Sequence, residues 1–127
     1  MGKFEPKQPV ELAPPNYSPM SVEKLEESNG TDGKPCYVAI KGIIFDVSGK
    51  EMYQPGGAYS VFAGKDASRA LGLMSTKPAD VRPDWFDLAD KEKDTLNDWF
   101  TFFSKRYNVV GTVEGATNRD PEIPSGA

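Results

Sequence analysis

The chain has 127 residues, enough for one domain of usual size and too few for two. Its formal net charge of −4 gives no electrostatic attraction to nucleic acid phosphates or to an anionic membrane surface, so no nucleic-acid partner is expected. Cys36 is the only cysteine, which excludes an intramolecular disulfide and a Cys-rich zinc site and favours a reducing compartment. No stretch approaches the ~20 apolar residues of a spanning helix, so no transmembrane segment is predicted.

The first part of the chain is predicted to be an arm followed by a short helix and a hairpin. Residues 1–19 are rich in proline and lack periodicity, which indicates an extended arm. Ser21 is a suitable N-cap for a helix over residues 22–28. Two β-rich runs, at 37–40 and 43–47, are separated by a lysine and a glycine and predict a hairpin.

The middle of the chain is predicted to contain short helices beside a loop. Residues 59–62 favour one or two helical turns, and Asp66 can cap a helix that continues to residue 71. Residues 75–90 lack periodicity and indicate an irregular loop held by Trp85.

The strongest helix signal covers residues 91–107, where apolar side chains recur at spacings of three and four. A last strand is predicted over residues 109–113, and the polar residues 115–127 are expected to form a flexible tail. This order of elements suits a small α+β domain, placed over residues 20–114, with its helices gathered on one side of a sheet.

The most specific pattern in the chain begins with the run Tyr-Gln-Pro-Gly-Gly-Ala-Tyr, from Tyr53 to Tyr59. It continues from Phe62 with Phe-Ala-Gly-Lys-Asp-Ala-Ser-Arg. The pattern resembles the haem-binding loop of the cytochrome b5-like domains, in which a histidine precedes Pro-Gly-Gly. Here Gln54 stands in that place, and the whole chain contains no histidine.

One branch of that superfamily, the membrane-associated progesterone receptor family, holds haem through tyrosine, and its pattern is matched here almost position for position. The resemblance extends over roughly residues 18–114. Within the family, the run over residues 99–111 is similar to the fungal damage-response type. The resemblance therefore implies a cytochrome b5-like domain with a haem-binding groove.

The resemblance implies non-covalent binding of haem b, with Tyr59 as the protein ligand to the iron. Tyrosine is among the side chains that ligate haem iron, and a ferric ion stabilises a phenolate although a free phenol has a pKa of about 10. Tyr53 matches a second family tyrosine that supports the ligand by hydrogen bonding. Gly56 and Gly57 are expected to allow close approach of a planar macrocycle to the backbone.

The residues alone also allow simpler explanations. Tyr59 can be an ordinary half-buried tyrosine on a helix, and Tyr53 can be an aromatic residue at the edge of a turn. Arg106 and Tyr107 align with a Lys-Tyr pair that contacts the haem edge in the family, and a guanidinium can pair with a propionate. The alternative is that Arg106 belongs to a basic last helical turn that complements the helix dipole.

No hydrolase signal is present, and we expect a protein without enzymatic activity. Asp66, Ser68 and Arg69 stand close together, but a serine nucleophile needs a base and the chain has no histidine. A helix cap with a surface ion pair is the better interpretation of these three residues.

The resemblance implies a regulatory role. Members of the family support sterol-synthesising haem-thiolate monooxygenases of the endoplasmic reticulum, and many carry an N-terminal membrane anchor. We therefore expect a cytoplasmic protein or one peripheral to that membrane. A haem with one axial protein ligand has an open face, which could pair with a second copy in a weak haem-dependent homodimer. Three alternatives stay open: a steroid or sterol carrier in which haem is incidental, a one-electron donor like true b5, and an interaction module without a ligand.

Overall fold

The computed structural model describes residues 12–119. In chain order its strands and α-helices are β1 (Pro19–Met20), α1 (Val22–Glu27), β2 (Tyr37–Ile40), β3 (Ile43–Asp46), α2 (Ser68–Leu73), α3 (Asp90–Arg106) and β4 (Asn108–Val113). Short 3-10 turns cover Glu51–Tyr53, Ser60–Phe62 and Pro78–Asp80. In this part of the chain, none of the helices combines the length and the apolar character that crossing a bilayer requires.

The strands form one mixed sheet in the order β1-β4-β3-β2. β2 and β3 are antiparallel, and they are joined by Lys41 and Gly42, whose φ angles of 54° and 77° lie in the left-handed region. Two such residues in a row make the turn whose twist matches that of a hairpin, so the predicted hairpin is confirmed. β4 pairs antiparallel with β3 and parallel with β1.

The two faces of the sheet bury different side chains because successive residues of a strand point to opposite sides. Ile40 and Phe45 lie on one face, in the main core with α2 and α3. Ala39 and Ile44 lie on the other face and pack with Leu25 of α1. The expectation that all helices gather on one side is therefore wrong for α1, whose single buried residue covers the smaller second core.

The helices lie close to their predicted positions. Ser21 caps α1, since its hydroxyl accepts a backbone hydrogen bond of 3.0 Å in the first turn. α3 begins one residue earlier than expected, where the Ala89 N–H donates to Glu92 Oε1 at 2.9 Å. α2 begins at Ser68, whose N–H donates to Asp66 Oδ1 at 3.0 Å, so Asp66 caps this helix from two residues before its start.

The chain after β4 is packed on the domain as far as it is described. Residues 115–127 are predicted to be a flexible tail, yet Asn118 is only 3% exposed. Its Nδ2 donates to Asp66 Oδ2 and to the Pro83 carbonyl, each at 2.9 Å. Its carbonyl accepts a 2.7 Å hydrogen bond from Trp85 Nε1. Trp85 therefore holds the irregular loop, as expected. It does so by bonding to the segment after β4, whose polar composition suggested that it would make no contact with the domain.

The predicted extended arm is described from residue 12 onward, and this part runs beside β4. The Asn16 N–H donates to the Val109 carbonyl at 3.0 Å, and the Thr112 N–H donates to the Ser18 carbonyl at 2.9 Å. The remainder of the arm and residues 120–127 of the tail lie outside the described residues.

α2 and α3 approach each other closely at Gly72. A Cβ atom at this position would lie 2.8 Å from Leu88 Cδ1 and 3.1 Å from the Glu92 carbonyl oxygen. The Leu88 methyl can rotate away, but the Glu92 carbonyl belongs to the backbone of α3, so a larger residue at position 72 presses on the second helix itself. The spacing of the helices on the main face of the sheet therefore depends on this glycine.

Replacing Gly72 by alanine is expected to lower the free energy of unfolding by about 1–3 kcal/mol, the usual cost of adding a methyl group to a packed core. Alanine favours the helix more than glycine does, which by itself would raise the stability. A loss of stability would therefore show that the steric clash between α2 and α3 is larger than this gain in helix propensity. Urea denaturation followed by circular dichroism measures the change, with the exposed Lys91→Ala as the control. Equal or greater stability of Gly72→Ala would contradict the close approach.

Candidate functional site

Two consecutive tight turns place Tyr59 at the surface of the main core. The 3-10 turn at Glu51–Tyr53 is followed by a turn in which the Gly57 N–H donates to the Gln54 carbonyl at 2.8 Å. The Tyr59 N–H then donates back to the Met52 carbonyl at 2.7 Å. This second bond ties Tyr59 to the first turn, so its ring is held where the Ser60–Phe62 turn begins.

Gly56 and Gly57 are required by the turn itself, for two different reasons. Gly56 has a φ of +87°, a left-handed conformation that favours glycine, although a Cβ there would meet open space. Gly57 has no room, since a Cβ would lie 2.5 Å from the Met52 carbonyl oxygen and would also meet the Glu51 carbonyl. Close approach of a macrocycle was the predicted reason for both glycines, and the backbone of the loop supplies a reason that involves no ligand.

Tyr59 is half-buried in the wall of a cleft of about 170 Å³ on the side of the sheet that carries α2 and α3. Its ring stacks on Phe62 at a centroid distance of 5.6 Å and meets the edge of Trp99 at 6.3 Å. Leu71 of α2 forms part of the opposite wall, and Met74, which ends that helix and is 78% exposed, lies at the rim. The cleft therefore offers apolar walls and one phenol.

Tyr53 lies beneath Tyr59 and is only 2% exposed. Its ring centroid is 5.8 Å from that of Tyr59, 6.0 Å from Phe103 and 6.5 Å from Tyr107. Burial, with smaller contributions from Tyr107, Tyr59 and Cys36, raises the pKa of Tyr53 far above its ordinary value. The Tyr53 hydroxyl therefore stays protonated at neutral pH and keeps a proton to donate.

Tyr107 and Arg106 occupy the end of α3 and do not line the cleft. Tyr107 is 7% exposed, and its ring packs 5.0 Å from Phe103. Burial raises its pKa, while Arg106 acts in the opposite direction. The Arg106 guanidinium lies 3.9 Å above the Phe102 ring. The structure thus packs Tyr107 against Tyr53, which in turn lies against Tyr59, and places Arg106 outside the cleft.

Gln54, which stands where the b5 carriers have their histidine, points away from the cleft. A Cβ on Gly30 would lie 2.8 Å from Gln54 Oε1, so the side chain is directed at the segment between α1 and β2. Within residues 12–119 there is also no group of three or more His, Cys, Asp or Glu side chains that could hold a bare metal ion. Of the tyrosines in the described part of the chain, Tyr59 is the one that lines the cleft, beside the hydroxyl-bearing residues Ser75 and Thr76.

The residues that resemble a catalytic group are structural. The Ser68 N–H and hydroxyl donate to Asp66 Oδ1 at 3.0 and 2.6 Å. Arg69 forms an ion pair with Asp87 at 2.8 Å and a second with Asp84 at 3.2 Å. The predicted helix cap and surface ion pair are confirmed.

The sequence interpretation missed most of the cleft wall. Trp99 is half-buried beside Tyr59 and was assigned no role, and Phe62 and Leu71 fall within the matched motif without being assigned one. One signal was present: Trp99 and Phe103 are four residues apart and therefore share a face of α3. That face meets the ring of Tyr53 through Phe103 and the ring of Tyr59 through Trp99.

A haem fits the chemistry of this cleft, because a phenol can ligate ferric iron and the walls suit an apolar macrocycle. The volume of about 170 Å³ lies below the ~300–1,000 Å³ of typical small-molecule sites. A haem needs more space than this cleft provides, so the rim near Met74 has to open before a haem can enter. Tyr59, Phe62, Leu71 and Trp99 are the residues that would hold it.

The family model described as "Cytochrome b5-like Heme/Steroid binding domain" matches residues 21–112. The chain belongs to this family. The recognition made from the sequence and the predicted cytochrome b5-like α+β fold are confirmed. A solved structure of a hypothetical Arabidopsis thaliana protein, described as having a cytochrome b5 like fold, is 55% identical to the chain. It superposes with a TM-score of 0.70 over 77% of the chain and 92% of that protein.

Plant and fungal relatives of this haem/steroid-binding domain carry names of two kinds. "Probable steroid-binding protein 3" of Arabidopsis thaliana is 58% identical over 95 residues, 73% of the chain and 95% of that protein. "Cytochrome P450 regulator dap1" of Schizosaccharomyces pombe is 40% identical over 117 residues, 86% of the chain and 67% of that protein. "Membrane steroid-binding protein 1" of Oryza sativa is 45% identical over 121 residues, 87% of the chain but only 52% of that longer protein.

The two neighbouring glycines give a matched pair of variants for the turn that carries Tyr59. Gly56→Ala is expected to cost about 1–2 kcal/mol, the penalty of a left-handed backbone with a Cβ. Gly57→Ala is expected to cost more and to displace Tyr59, because its Cβ collides with backbone atoms that cannot move away independently. Thermal denaturation measures both. Equal losses for the two variants would contradict the steric role of Gly57.

Proposed function

We propose that the domain binds haem b non-covalently, with the phenolate of Tyr59 as the protein ligand to the iron. The observation that carries the proposal is the position of this tyrosine. A chain without histidine holds one half-buried phenol in the wall of an apolar cleft, by means of two glycines and a backbone hydrogen bond to Met52. Family membership supports the same cofactor.

Each part of the cleft has a separate task in this proposal. Tyr59 supplies an anionic oxygen, while Phe62, Leu71 and Trp99 exclude water from it. Tyr53, whose pKa is raised by burial, keeps its proton and can donate it toward a neighbouring phenolate without becoming an anion itself. A haem held by these residues would supply a ferric iron that can bind a small ligand. A contact between Arg106 and a propionate stays a prediction and requires the guanidinium to leave the ring of Phe102.

The biological role that we propose is regulation of sterol-synthesising haem-thiolate monooxygenases, without catalysis by the domain itself. It is supported by the fission yeast relative, which is named a cytochrome P450 regulator. The same proposal places the protein in the cytoplasm or at the periphery of the endoplasmic reticulum membrane. Steroid binding is the second candidate function, because the plant relatives are named steroid-binding proteins. In that alternative the domain is a carrier and haem is incidental.

Hemin added to the apo protein is expected to bind one-to-one with a high-spin ferric spectrum. Tyr59→Phe removes only the hydroxyl and should raise the dissociation constant at least about tenfold, or ~1.4 kcal/mol of binding free energy. Tyr37→Phe is the matched control, since Tyr37 is also half-buried but packs on the opposite face of the sheet. The measurement is an absorption titration, with circular dichroism to verify the fold.

Three results would count against this assignment. Absence of a spectral change at micromolar hemin would remove haem from the function and favour the carrier. Greater damage from Tyr53→Phe would mean that the buried tyrosine is the ligand. Equal turnover of a reconstituted monooxygenase with hemin-loaded protein and with Tyr59→Phe would contradict a haem-dependent regulatory role.

The open haem face is also expected to support a weak homodimer, and exposed Met74 at the rim of the cleft would border such a contact. Burying a few hundred Å² of apolar surface is worth several kcal/mol at about 25 cal/mol per Å². Association costs roughly 4–15 kcal/mol, so only a weak dimer is expected. Sedimentation of hemin-loaded and apo protein at matched high micromolar concentration measures it, with Tyr59→Phe as the control. If hemin-loaded and apo protein both sediment with the mass of a monomer, the dimer prediction is wrong, and the open haem face would be available to a partner enzyme.

A further inference from the structure

A second cavity, larger than the Tyr59 cleft, lies on the other face of the sheet. Its volume is about 330 Å³, against about 170 Å³ for the cleft. Its floor is formed by Leu25 of α1 and Val113 of β4, which belong to the smaller core. The Tyr59 cleft is built from residues of the main core. The two cavities share no lining residue, and the sheet lies between their floors, although Val81 at the edge of the second cavity packs against the main core.

The lining of this cavity suits an apolar molecule with a polar end. Val22, Leu25, Val113 and Ala116 give it apolar walls. Lys65 and Thr117 are exposed and also line it, so an ammonium and a hydroxyl can donate hydrogen bonds to a ligand oxygen. The carboxylates of Glu26, Asp66 and Glu114 line it as well and offer acceptors to a ligand hydroxyl. An apolar pocket with a small number of polar groups is the usual character of a small-molecule site, and 330 Å³ falls within the usual range of ~300–1,000 Å³.

The walls of the cavity are fixed by buried hydrogen bonds. Asn118 donates to Asp66 Oδ2 and to the Pro83 carbonyl at 2.9 Å, which joins three lining segments. The Gly64 N–H donates to the Tyr37 carbonyl at 2.7 Å, which holds one of these segments, residues 64–66, against β2. The cavity is thus a feature of the folded domain, assembled by contacts between residues far apart in the sequence.

We propose that a steroid occupies this cavity, on the opposite face of the sheet from the haem, so that the domain can hold both ligands at once. The inference rests on the proposed function, which assigns the Tyr59 cleft to haem and gives steroid as the second candidate ligand. Two cavities of different size and lining accommodate the two ligand classes in the family description better than one shared cleft does. A steroid ketone would accept hydrogen bonds from Lys65 or Thr117.

Chemical-shift mapping with progesterone tests the location directly, since the 13.9 kDa chain is small enough for two-dimensional amide spectra. Progesterone is expected to shift the amides of residues 22–26, 64–66 and 113–118. It should leave those of residues 59–62 and 70–76 unchanged. A hemin titration at saturating progesterone should give the same dissociation constant as a titration without it.

Two variants that enlarge a side chain at a rim form a matched pair. Val22 is 47% exposed and lines the second cavity, so Val22→Trp should narrow it without disturbing the core. Thr76 is exposed at the Tyr59 cleft and serves as the counterpart, Thr76→Trp. Val22→Trp is expected to weaken progesterone binding about tenfold or more while hemin binding is unchanged, a usual effect of one misfitting group in an apolar pocket. Thr76→Trp should show the reverse.

The outcomes distinguish this inference from the haem proposal. Competition between progesterone and hemin, or progesterone shifts at residues 59–62 and 70–76, would overturn the separate site. Hemin binding without any progesterone binding would overturn it as well and leave the haem function standing. Progesterone shifts around the second cavity, together with a failure to bind hemin, would support the steroid site and refute the haem function.

Discussion

The fold depends above all on one partly buried carboxylate, that of Asp66. Its Oδ1 accepts from the N–H and hydroxyl of Ser68, at 3.0 and 2.6 Å. Its Oδ2 accepts from the Gly42 N–H at 3.1 Å and from Asn118 Nδ2 at 2.9 Å. Burial raises the pKa of this carboxyl, and the hydrogen bonds from its neighbours oppose that rise. Four donors replace the water that a charged group loses on burial, which is why the position is tolerated.

The three residues that donate to Asp66 belong to three parts of the architecture. Gly42 is in the β2–β3 turn, Ser68 begins α2, and Asn118 lies beyond β4. The backbone adds to this junction, since the Ala67 N–H donates to the Ala39 carbonyl at 2.9 Å. The position of α2 against the sheet follows from it, and with α2 the wall of the Tyr59 cleft. The same carboxylate lines the second cavity, so the Tyr59 cleft and the second cavity both depend on a single residue.

Local regularities were predictable from the sequence, and long-range contacts were not. The hairpin and α3 follow from patterns within a few residues, namely a β-rich pair of runs and an apolar period of three and four. Asn118 could not be recognised as buried, because its partners are 33 to 52 residues away and polar composition usually indicates solvent exposure. The motif placed Tyr59 and Tyr53 correctly as neighbours, but only the structure shows that Gly57 is required by the Met52 carbonyl and that Arg106 faces Phe102.

Successive side chains of β2 and β3 point to opposite faces of the sheet, and this alternation has an evolutionary consequence. Val38 and Ala39 are adjacent in the chain but belong to different cores, as do Ile44 and Phe45. A substitution at one position of each pair acts on one side of the sheet and leaves the other side in place. Selection can therefore reshape either half of the domain while the other half is held constant. A gene duplicate can therefore change the packing on one face of the sheet through alternate residues of each strand, and keep the other face as it was.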